Sequence, residues 1–114
     1  MPYMMLRGAK AFIEFCKAVF NAEEILEMQH LREDDSILHA EVNIGGSTIM
    51  FSEASTQWPE QAANLFVYVE SADQTCQKAL ELGSTLVMEL SDQNYGRSCG
   101  VKDPFGNVWW ITSL

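Results

Sequence analysis

Two residues that can exchange protons stand two positions apart in an alternating segment. His39 and Glu41 belong to the run Ile37–Ile44, where polar and apolar residues alternate, so both side chains are expected on one face of a strand. An imidazole beside a carboxylate can serve as a general acid–base pair or as part of a metal site, although two ligands alone make a weak site. Both residues can equally be structural: His39 can bond a backbone carbonyl at a sheet edge, and Glu41 can lie in solvent.

A second set of side chains is suited to holding a small organic molecule. Trp110 and Met50 lie in two alternating runs and offer aromatic and thioether surface. Tyr95 and Arg97 flank a glycine, in a segment that is either a gating loop or a plain turn. With Trp58 in the connecting segment, and with the histidine and glutamate above, these residues are the predicted ligand-binding set. Trp110 is also suited to a dimer interface.

The three cysteines, Cys16, Cys76 and Cys99, are an odd number in a chain whose start, Met1–Gly8, does not resemble an export signal. We therefore expect buried, reduced thiols in a cytoplasmic protein. We expect no adjacent cation on the strand face of Cys99 that would clearly lower the pKa of its thiol, and we therefore expect this thiol to be inert.

Charge and length limit the possible partners. The 114 residues carry a net charge of −9, and 47% of them are hydrophobic, which fits one globular domain. An acidic surface repels phosphate groups, so nucleic acid and anionic membrane surfaces are not expected as partners. No apolar run approaches the ~18–20 residues of a membrane span.

The two halves of the sequence repeat each other. A shift of 60 residues places Cys16 on Cys76, Met28 on Met88 and Gly46 on Gly106, and the order of helix and strand patterns is kept as well. This periodicity predicts two copies of one supersecondary unit.

Each half reads as strand, helix and three strands. Apolar residues recur at helical spacing from Phe12 to Val19 and from Ala72 to Leu80, and Ser71 with Gln74 forms a capping box. Gly45-Gly46 and Asp103-Pro104-Phe105-Gly106 are hairpin turns, with Asp103 capping its own turn. The predicted strands are Tyr3–Arg7, Glu24–Leu31, Ile37–Ile44 and Thr48–Ser52 in the first half, and Leu65–Glu70, Thr85–Leu90, Ser98–Lys102 and Val108–Thr112 in the second.

These elements predict an α+β fold of two βαβββ modules, 1–53 and 64–114, joined by a linker at 54–63 within a single domain, 1–114. One helix covers one face of a four-stranded sheet. Two modules side by side give a curved eight-stranded sheet with helices on the outer face, and the uncovered face forms a trough. An apolar trough is a ligand site or a dimer interface, so we expect a homodimer.

Strand alternation assigns side chains to the two faces of each sheet. Trp109, Ile111, Ile49 and Phe51 should pack under the helices, whereas Trp110 and Met50 should face the trough together with His39 and Glu41. Arg97 is expected in the same pocket.

Four linked segments carry a family resemblance. The run D-P-F-G-N-V-W-W-I at 103–111, preceded by Y-G-R-S at 95–98, resembles the C-terminal signature of the vicinal-oxygen-chelate superfamily. H-A-E-V-N-I-G-G-S-T-I-M-F-S at 39–52 and A-F-I-E-F-C-K-A-V-F at 11–20 are similar to its PhnB-like branch. The superfamily includes glyoxalase I, extradiol dioxygenases and proteins of fosfomycin and bleomycin resistance. The resemblance implies paired βαβββ modules and usually a homodimer, but no single activity.

The metal positions that the resemblance implies lack metal-binding side chains. Metal-using members place His, Gln or Glu near the start of each first strand and within each last strand. The corresponding positions here are Pro2 or Tyr3 and Leu65, then Met50 and Trp110. Hard divalent metals prefer imidazole and carboxylate ligands, so no metal and no cofactor is expected.

Three functional hypotheses follow. The first is a metal-free small-molecule binding protein of the bleomycin-resistance type, with its pocket at a homodimer interface. The second is a metal-free enzyme of the same superfamily that uses His39 and Glu41 for acid–base catalysis. The third is a divergent metal-dependent lyase or dioxygenase whose ligands have moved.

Overall fold

The computed structural model describes residues 1–114 and divides them into two units, Met1–Ala62 (unit 1) and Ala63–Leu114 (unit 2). Each unit holds one α-helix and one mixed sheet. The α+β class and the two βαβββ modules predicted from the sequence are confirmed. The longer helix has 12 residues, and no helix has the length and apolar character needed to cross a bilayer.

Unit 1 is built on a sheet whose central strands are β5 and β4. Its elements are β1 (Tyr3–Leu6), α1 (Ala9–Phe20), β2 (Glu23–Glu24), a 3₁₀ turn (Leu26–Met28), β3 (His30–Leu31), β4 (Ile37–Ile44) and β5 (Ser47–Glu53). The strand order is β1-β5-β4-β2, and β3 also pairs with β4. Strand β1 runs parallel to β5, and the other pairs are antiparallel.

The strand predicted at Glu24–Leu31 is wrong as a continuous element. The 3₁₀ turn separates β2 from β3, and the apolar side chains of Leu26 and Met28 are exposed. These apolar residues led to the prediction of a strand, but in the structure they do not belong to the core.

Helix α1 is fixed by its apolar face and by a distant carboxylate. Phe12 and Phe15 are buried on this face, and Phe12 meets Phe51 edge to face with ring centroids 4.9 Å apart. At the helix N-terminus, Glu53 accepts hydrogen bonds from the backbone N–H groups of Gly8 and Ala9 at 3.1 and 2.9 Å. A carboxylate at this end is stabilising because it satisfies otherwise unpaired donors and complements the helix dipole.

Unit 2 repeats the order with a shorter helix. Its elements are β6 (Asn64–Tyr68), α2 (Ala72–Glu81), β7 (Thr85–Gln93), β8 (Gly96–Lys102) and β9 (Val108–Ser113), with strand order β6-β9-β8-β7. Ser71 caps α2, since its side chain accepts the N–H of Gln74 at 3.2 Å. The predicted cap is confirmed.

The predicted core faces are also confirmed. Phe51 and Ile49 of β5 and Trp109 and Ile111 of β9 are buried. In β4, Ala40, Val42 and Ile44 are buried as well. Over these stretches of β4, β5 and β9, the period of two was therefore sufficient to separate the helix-covered face from the opposite face.

The repeat offset is not constant along the chain. Met50 and Trp110, 60 residues apart, occupy equivalent strands, but their neighbours in the parallel first strands are Tyr3 and Phe66, which are 63 residues apart. Leu65 pairs instead with Trp109. Phe66, and not Leu65, is therefore the neighbour of Trp110, as Tyr3 is of Met50.

The segment predicted as a linker, 54–63, is held against unit 1 over most of its length. Met5 and Gln61 exchange backbone hydrogen bonds of 3.1 and 2.9 Å. Ala54 N–H donates to the carbonyl of Leu6. Strand β1 pairs with β5 on one side and with this segment on the other. The path of the segment, and with it the position of Trp58, is therefore fixed.

Two cysteines depart from the sequence prediction. Cys76 of α2 and Cys99 of β8 are joined in a disulfide, so the expectation of three reduced thiols is wrong. Helix α2 buries only Ala72, Cys76 and Ala79, so the covalent bond supplements a small apolar contact.

The turn between β8 and β9 is built around a buried carboxylate. Asp103 Oδ1 accepts the backbone N–H groups of Phe105 and Asn107, both at 2.9 Å. Its Oδ2 accepts Asn107 Nδ2 at 3.1 Å and Trp109 Nε1 at 2.8 Å. Four donors depend on one side chain, which explains why an acidic residue is tolerated inside the protein.

Replacing Asp103 with Ala should lower the free energy of unfolding by about 3 kcal/mol, because buried donors lose their acceptor. Chemical denaturation monitored by circular dichroism measures the change. The control Glu27→Ala, at an exposed position, should stay within about 0.5 kcal/mol of the wild type. A loss below about 1 kcal/mol in Asp103→Ala would contradict this account of the turn.

Candidate functional site

The sheet of unit 1 has one face without a helix, called here the unit 1 open face. Glu41 and Met50 are direct neighbours on β4 and β5, and Met50 also pairs with Tyr3 of β1. His39 lies on the same side of β4 as Glu41. The structure therefore brings together His39, Glu41 and Met50, three of the residues singled out in the sequence.

His39 and Glu41 are in direct contact. His39 Nε2 lies 2.8 Å from Glu41 Oε2, and Glu41 is only 8% exposed. The carboxylate is thus buried rather than solvated. The ring of His30 in β3 lies 6.1 Å from that of His39, measured between centroids.

This pair has the geometry of an oriented proton-transfer group. A neutral imidazole that donates from Nε2 to the carboxylate leaves Nδ1 as an acceptor. The arrangement orients the ring, as a general base requires.

A cavity of about 170 Å³ lies at one end of the unit 1 open face. We call it the Trp58 cavity. Its walls are mainly aromatic and aliphatic, with two hydroxyls and one guanidinium, and they consist of Tyr3, Met5, Arg32, Leu38, Ser52 and Trp58. A concave, mostly apolar pocket with few polar groups is typical of small-molecule sites.

Local geometry fixes the walls of this cavity. Trp58 is held by two hydrogen bonds with Ser55, one from Trp58 N–H to Ser55 Oγ at 3.0 Å and one from Ser55 N–H to the Trp58 carbonyl at 2.8 Å. Its side chain remains 57% exposed. Ser52 Oγ donates to the carbonyl of Leu38 at 2.6 Å and lies 2.9 Å from the Tyr3 hydroxyl.

Sequence reasoning missed most of the cavity. Strict alternation from Ala40 would put Leu38 under the helix, but the register of β3 against β4 is irregular here and Leu38 is exposed. Arg32 precedes three acidic residues. Such a run of charges is typical of a solvent-exposed loop and gives no sign of a cavity wall. The sequence pointed only to Trp58 and, as a departure from the metal pattern, to Tyr3.

The sheet of unit 2 also has a face without a helix, the unit 2 open face. The aromatic side chains of Phe66, Tyr68, Tyr95 and Trp110 lie on it. Phe66 is 52% exposed and Tyr68 62%. Phe66 meets Tyr68 at 5.2 Å and Tyr95 at 6.2 Å between ring centroids, so Tyr95 joins an aromatic cluster.

Trp110 lies across a glycine. A Cβ atom on Gly100 would come within 2.6 Å of Trp110 Cζ3 and 2.9 Å of Cε3. The indole Nε1–H donates to Asn64 Oδ1 at 3.2 Å. Because Gly100 has no side chain, the ring can pack flat on the backbone of β8.

Arg97 does not share the face of Trp110, so this expectation was wrong. Its guanidinium is bound to Asp73 of α2 at 2.6 and 3.1 Å and to Asp92 at 3.2 Å. Alternation along β8 puts Arg97 on the side of Cys99, which bonds to α2. The hydrogen bonds that Arg97 donates to Asp73 raise the pKa of Arg97 and lower the pKa of Asp73.

The residues at the family's metal positions do not fit a divalent metal. Tyr3 pairs with Met50, and Phe66 pairs with Trp110, so these positions carry phenol, thioether, phenyl and indole groups. Zinc and similar ions require imidazole, thiolate or carboxylate ligands. No three His, Cys, Asp or Glu side chains lie close enough to hold an ion. No step of a mechanism is therefore assigned to a metal.

Comparison with known proteins identifies the class to which this fold belongs. The chain belongs to the Glyoxalase/Bleomycin resistance protein/Dioxygenase superfamily, whose family model matches residues 6–111. An uncharacterised protein of Mycobacterium bovis is 28% identical over 120 residues, which span 95% of this chain and 78% of the relative.

Two solved structures show the same fold. A PhnB protein from Bacillus cereus superposes with a TM-score of 0.75 at 15% identity, covering 100% of this chain and 98% of that one. TnmS3, an antibiotic binding protein from Streptomyces sp. CB03234, superposes with a TM-score of 0.73 at 14% identity, covering 97% and 90% of the two chains. The resemblance to the superfamily is thus confirmed, and the fold is shared with a PhnB protein.

Replacing Gly100 with Ala should displace the indole of Trp110, because the new methyl group would overlap the ring. The fold should survive, since only the flexible end of a side chain has to move. In a Trp58→Phe background, tryptophan emission should shift to longer wavelength as the ring enters water. The control Lys102→Ala, on the same strand, should leave the emission unchanged. An unshifted spectrum for Gly100→Ala would contradict the packing of Trp110 on β8.

Proposed function

We propose that this protein binds a small organic molecule without a metal and that the Trp58 cavity receives it. The observation that carries the proposal is the cavity itself, a concave space of about 170 Å³ with aromatic and aliphatic walls. Few polar groups line it, which favours a ligand with a large apolar part. The side chains at the family's metal positions support a role that needs no metal.

The volume of the cavity limits what it can enclose. An apolar cavity of about 150 Å³ holds one benzene molecule, whereas pockets for drug-sized ligands have volumes of about 300–1,000 Å³. The Trp58 cavity therefore accommodates one ring, and a larger ligand would extend over the unit 1 open face toward Met50, Glu41 and His39. TnmS3 is an antibiotic binding protein, and its role supports a binding function on the same fold.

The unit 2 open face supports a homodimer. Phe66, Tyr68 and Tyr95 leave aromatic surface in water, and a soluble protein rarely exposes a contiguous apolar patch without a partner. A second copy related by a twofold axis covers such a patch with an identical one. We infer that this face is buried between two copies and that Trp110 lies at its margin.

A second candidate function rests on the His39–Glu41 contact. A buried carboxylate 2.8 Å from an imidazole favours acid–base catalysis on a ligand that extends over the unit 1 open face. Under this hypothesis a ligand that co-purifies with the protein is converted by the wild type and not by His39→Gln. Conversion at the same rate by both proteins contradicts it.

Small neutral aromatic probes should bind at the Trp58 cavity. In ¹H–¹⁵N spectra, phenol, benzyl alcohol and benzamide should shift the Trp58 indole N–H signal together with backbone signals of Tyr3 and Leu38. Trp58→Ala should weaken binding by about tenfold, because it removes one aromatic wall. Leu26→Ala also removes a large apolar side chain, but from an exposed position that does not line the cavity. It should therefore have no effect on probe binding. If none of the probes shifts these signals, the proposed binding function is wrong.

Native mass spectrometry should show a dimer without a stoichiometric metal, also after incubation with zinc, nickel or manganese. Phe66→Ala should raise the dimer dissociation constant by about tenfold, because it removes exposed aromatic area from the interface. Leu82→Ala, at the end of α2, should not. A wild type that stays monomeric at high concentration would contradict the shared face, and an ion held by three side chains would contradict the metal-free role.

A further inference from the structure

Arg32 has no carboxylate partner, in contrast to the other two arginines. Arg7 binds Glu60 at 2.6 Å and Arg97 binds two aspartates. Arg32 Nη1 donates to Ser36 Oγ at 3.2 Å, and Nη2 donates to the carbonyl of Glu53 at 2.9 Å. Both acceptors are neutral, and no ion pair within 4.0 Å is formed by this guanidinium. In a chain with 16 acidic and 7 basic residues, a cation without a carboxylate contact needs an explanation.

The position of Arg32 is fixed by the turn that contains it. Arg32 N–H donates to the Ser36 carbonyl at 2.8 Å, and Asp35 N–H donates to the Arg32 carbonyl at 3.0 Å. Asp34, the nearby carboxylate, accepts both the backbone N–H and the hydroxyl of Ser36, at 3.0 and 2.6 Å. These hydrogen bonds lower the pKa of Asp34 and direct its oxygens to Ser36 rather than to the guanidinium.

The other polar groups of the Trp58 cavity are already paired with each other. Ser52 Oγ uses its proton on the carbonyl of Leu38, so the Tyr3 hydroxyl must be the donor in its contact with Ser52 Oγ. The remaining walls are Met5, Leu38 and Trp58. A guanidinium has five N–H donors, and Arg32 uses two of them on protein acceptors. Arg32 is therefore the main source of unused hydrogen-bond donors at the cavity.

From this geometry we propose that the Trp58 cavity selects small organic carboxylates, with Arg32 binding the carboxylate and the apolar walls enclosing a ring about the size of benzene. The inference rests on the proposed binding function and adds the chemical class of the ligand. A carboxylate matches the planar fork of a guanidinium better than any neutral group does. Trp58 provides a flat surface for stacking.

The net charge of the protein makes this selection specific to the cavity. At −9, the long-range field repels anions and attracts cations. A preference for anions at the cavity must therefore come from a local contact. Raising the salt concentration weakens the long-range repulsion, so carboxylate binding should not fall steeply with salt, as it would if a diffuse basic surface were responsible.

The test compares two probes of equal size and shape. Benzoate carries a carboxylate where benzamide carries a neutral amide. Titrations of the full chain followed in ¹H–¹⁵N spectra at the Trp58 indole N–H should show benzoate binding at least about tenfold more tightly than benzamide. Arg32→Gln should abolish this preference by weakening benzoate binding far more than benzamide binding, and Arg32→Lys should retain part of it. Thermal melting of each variant checks that it is folded.

Arg7→Gln is the matched control, because it removes the same charge from the same unit at an exposed ion pair outside the cavity. It should leave the benzoate preference intact. Equal effects of Arg7→Gln and Arg32→Gln would show general attraction to positive charge and overturn the inference. If benzamide binds the cavity as tightly as benzoate, the carboxylate inference fails while the binding function stands. If neither probe nor phenol nor benzyl alcohol shifts the cavity signals, both fail.

Discussion

A single helix against each sheet is the constraint on which the rest of the structure depends. In unit 1 the apolar face of α1 covers one side of the sheet and buries Phe51 and Val42. The opposite side then has no partner within the unit. Alternation places one residue in two on that side, so side chains with no role in the core, such as His39 and Met50, are available for binding. The same constraint leaves Phe66 and Tyr68 exposed in unit 2.

Several carboxylates accept hydrogen bonds from N–H groups that would otherwise have no partner. Glu53 caps α1 from the end of β5, and Asp103 binds four donors in the turn before β9. Asp34 closes the turn that begins at Arg32. In each case the negative charge is used on hydrogen-bond donors of the main chain or of neighbouring side chains. Because the oxygens of Asp34 bind Ser36 in this way, the guanidinium of Arg32 is hydrogen-bonded to neutral acceptors instead.

Strand alternation and helix caps, which depend on neighbouring residues, were predictable from the sequence. The register between strands that lie far apart in the chain was not. Alternation correctly placed Trp109 and Ile111 in the core, and the cap at Ser71 followed from residue type alone. The register of β6 against β9 depends on a parallel pairing over more than 40 residues, so Phe66 could not be recognised as the neighbour of Trp110. The outward turn of Leu38 arises from a strand irregularity that no residue type signals.

The two units reach stability by different means, and this difference bears on where a ligand binds. Helix α1 buries three phenylalanines, whereas α2 buries Ala72, Cys76 and Ala79 and is tied to β8 by the Cys76–Cys99 disulfide. Aromatic packing gives unit 1 a core that does not depend on the residues of its open face. Side chains such as Tyr3 and Leu38 can then line a cavity, because their exposure costs the core little. The residues that line a binding site on this face can consequently be replaced without loss of the fold.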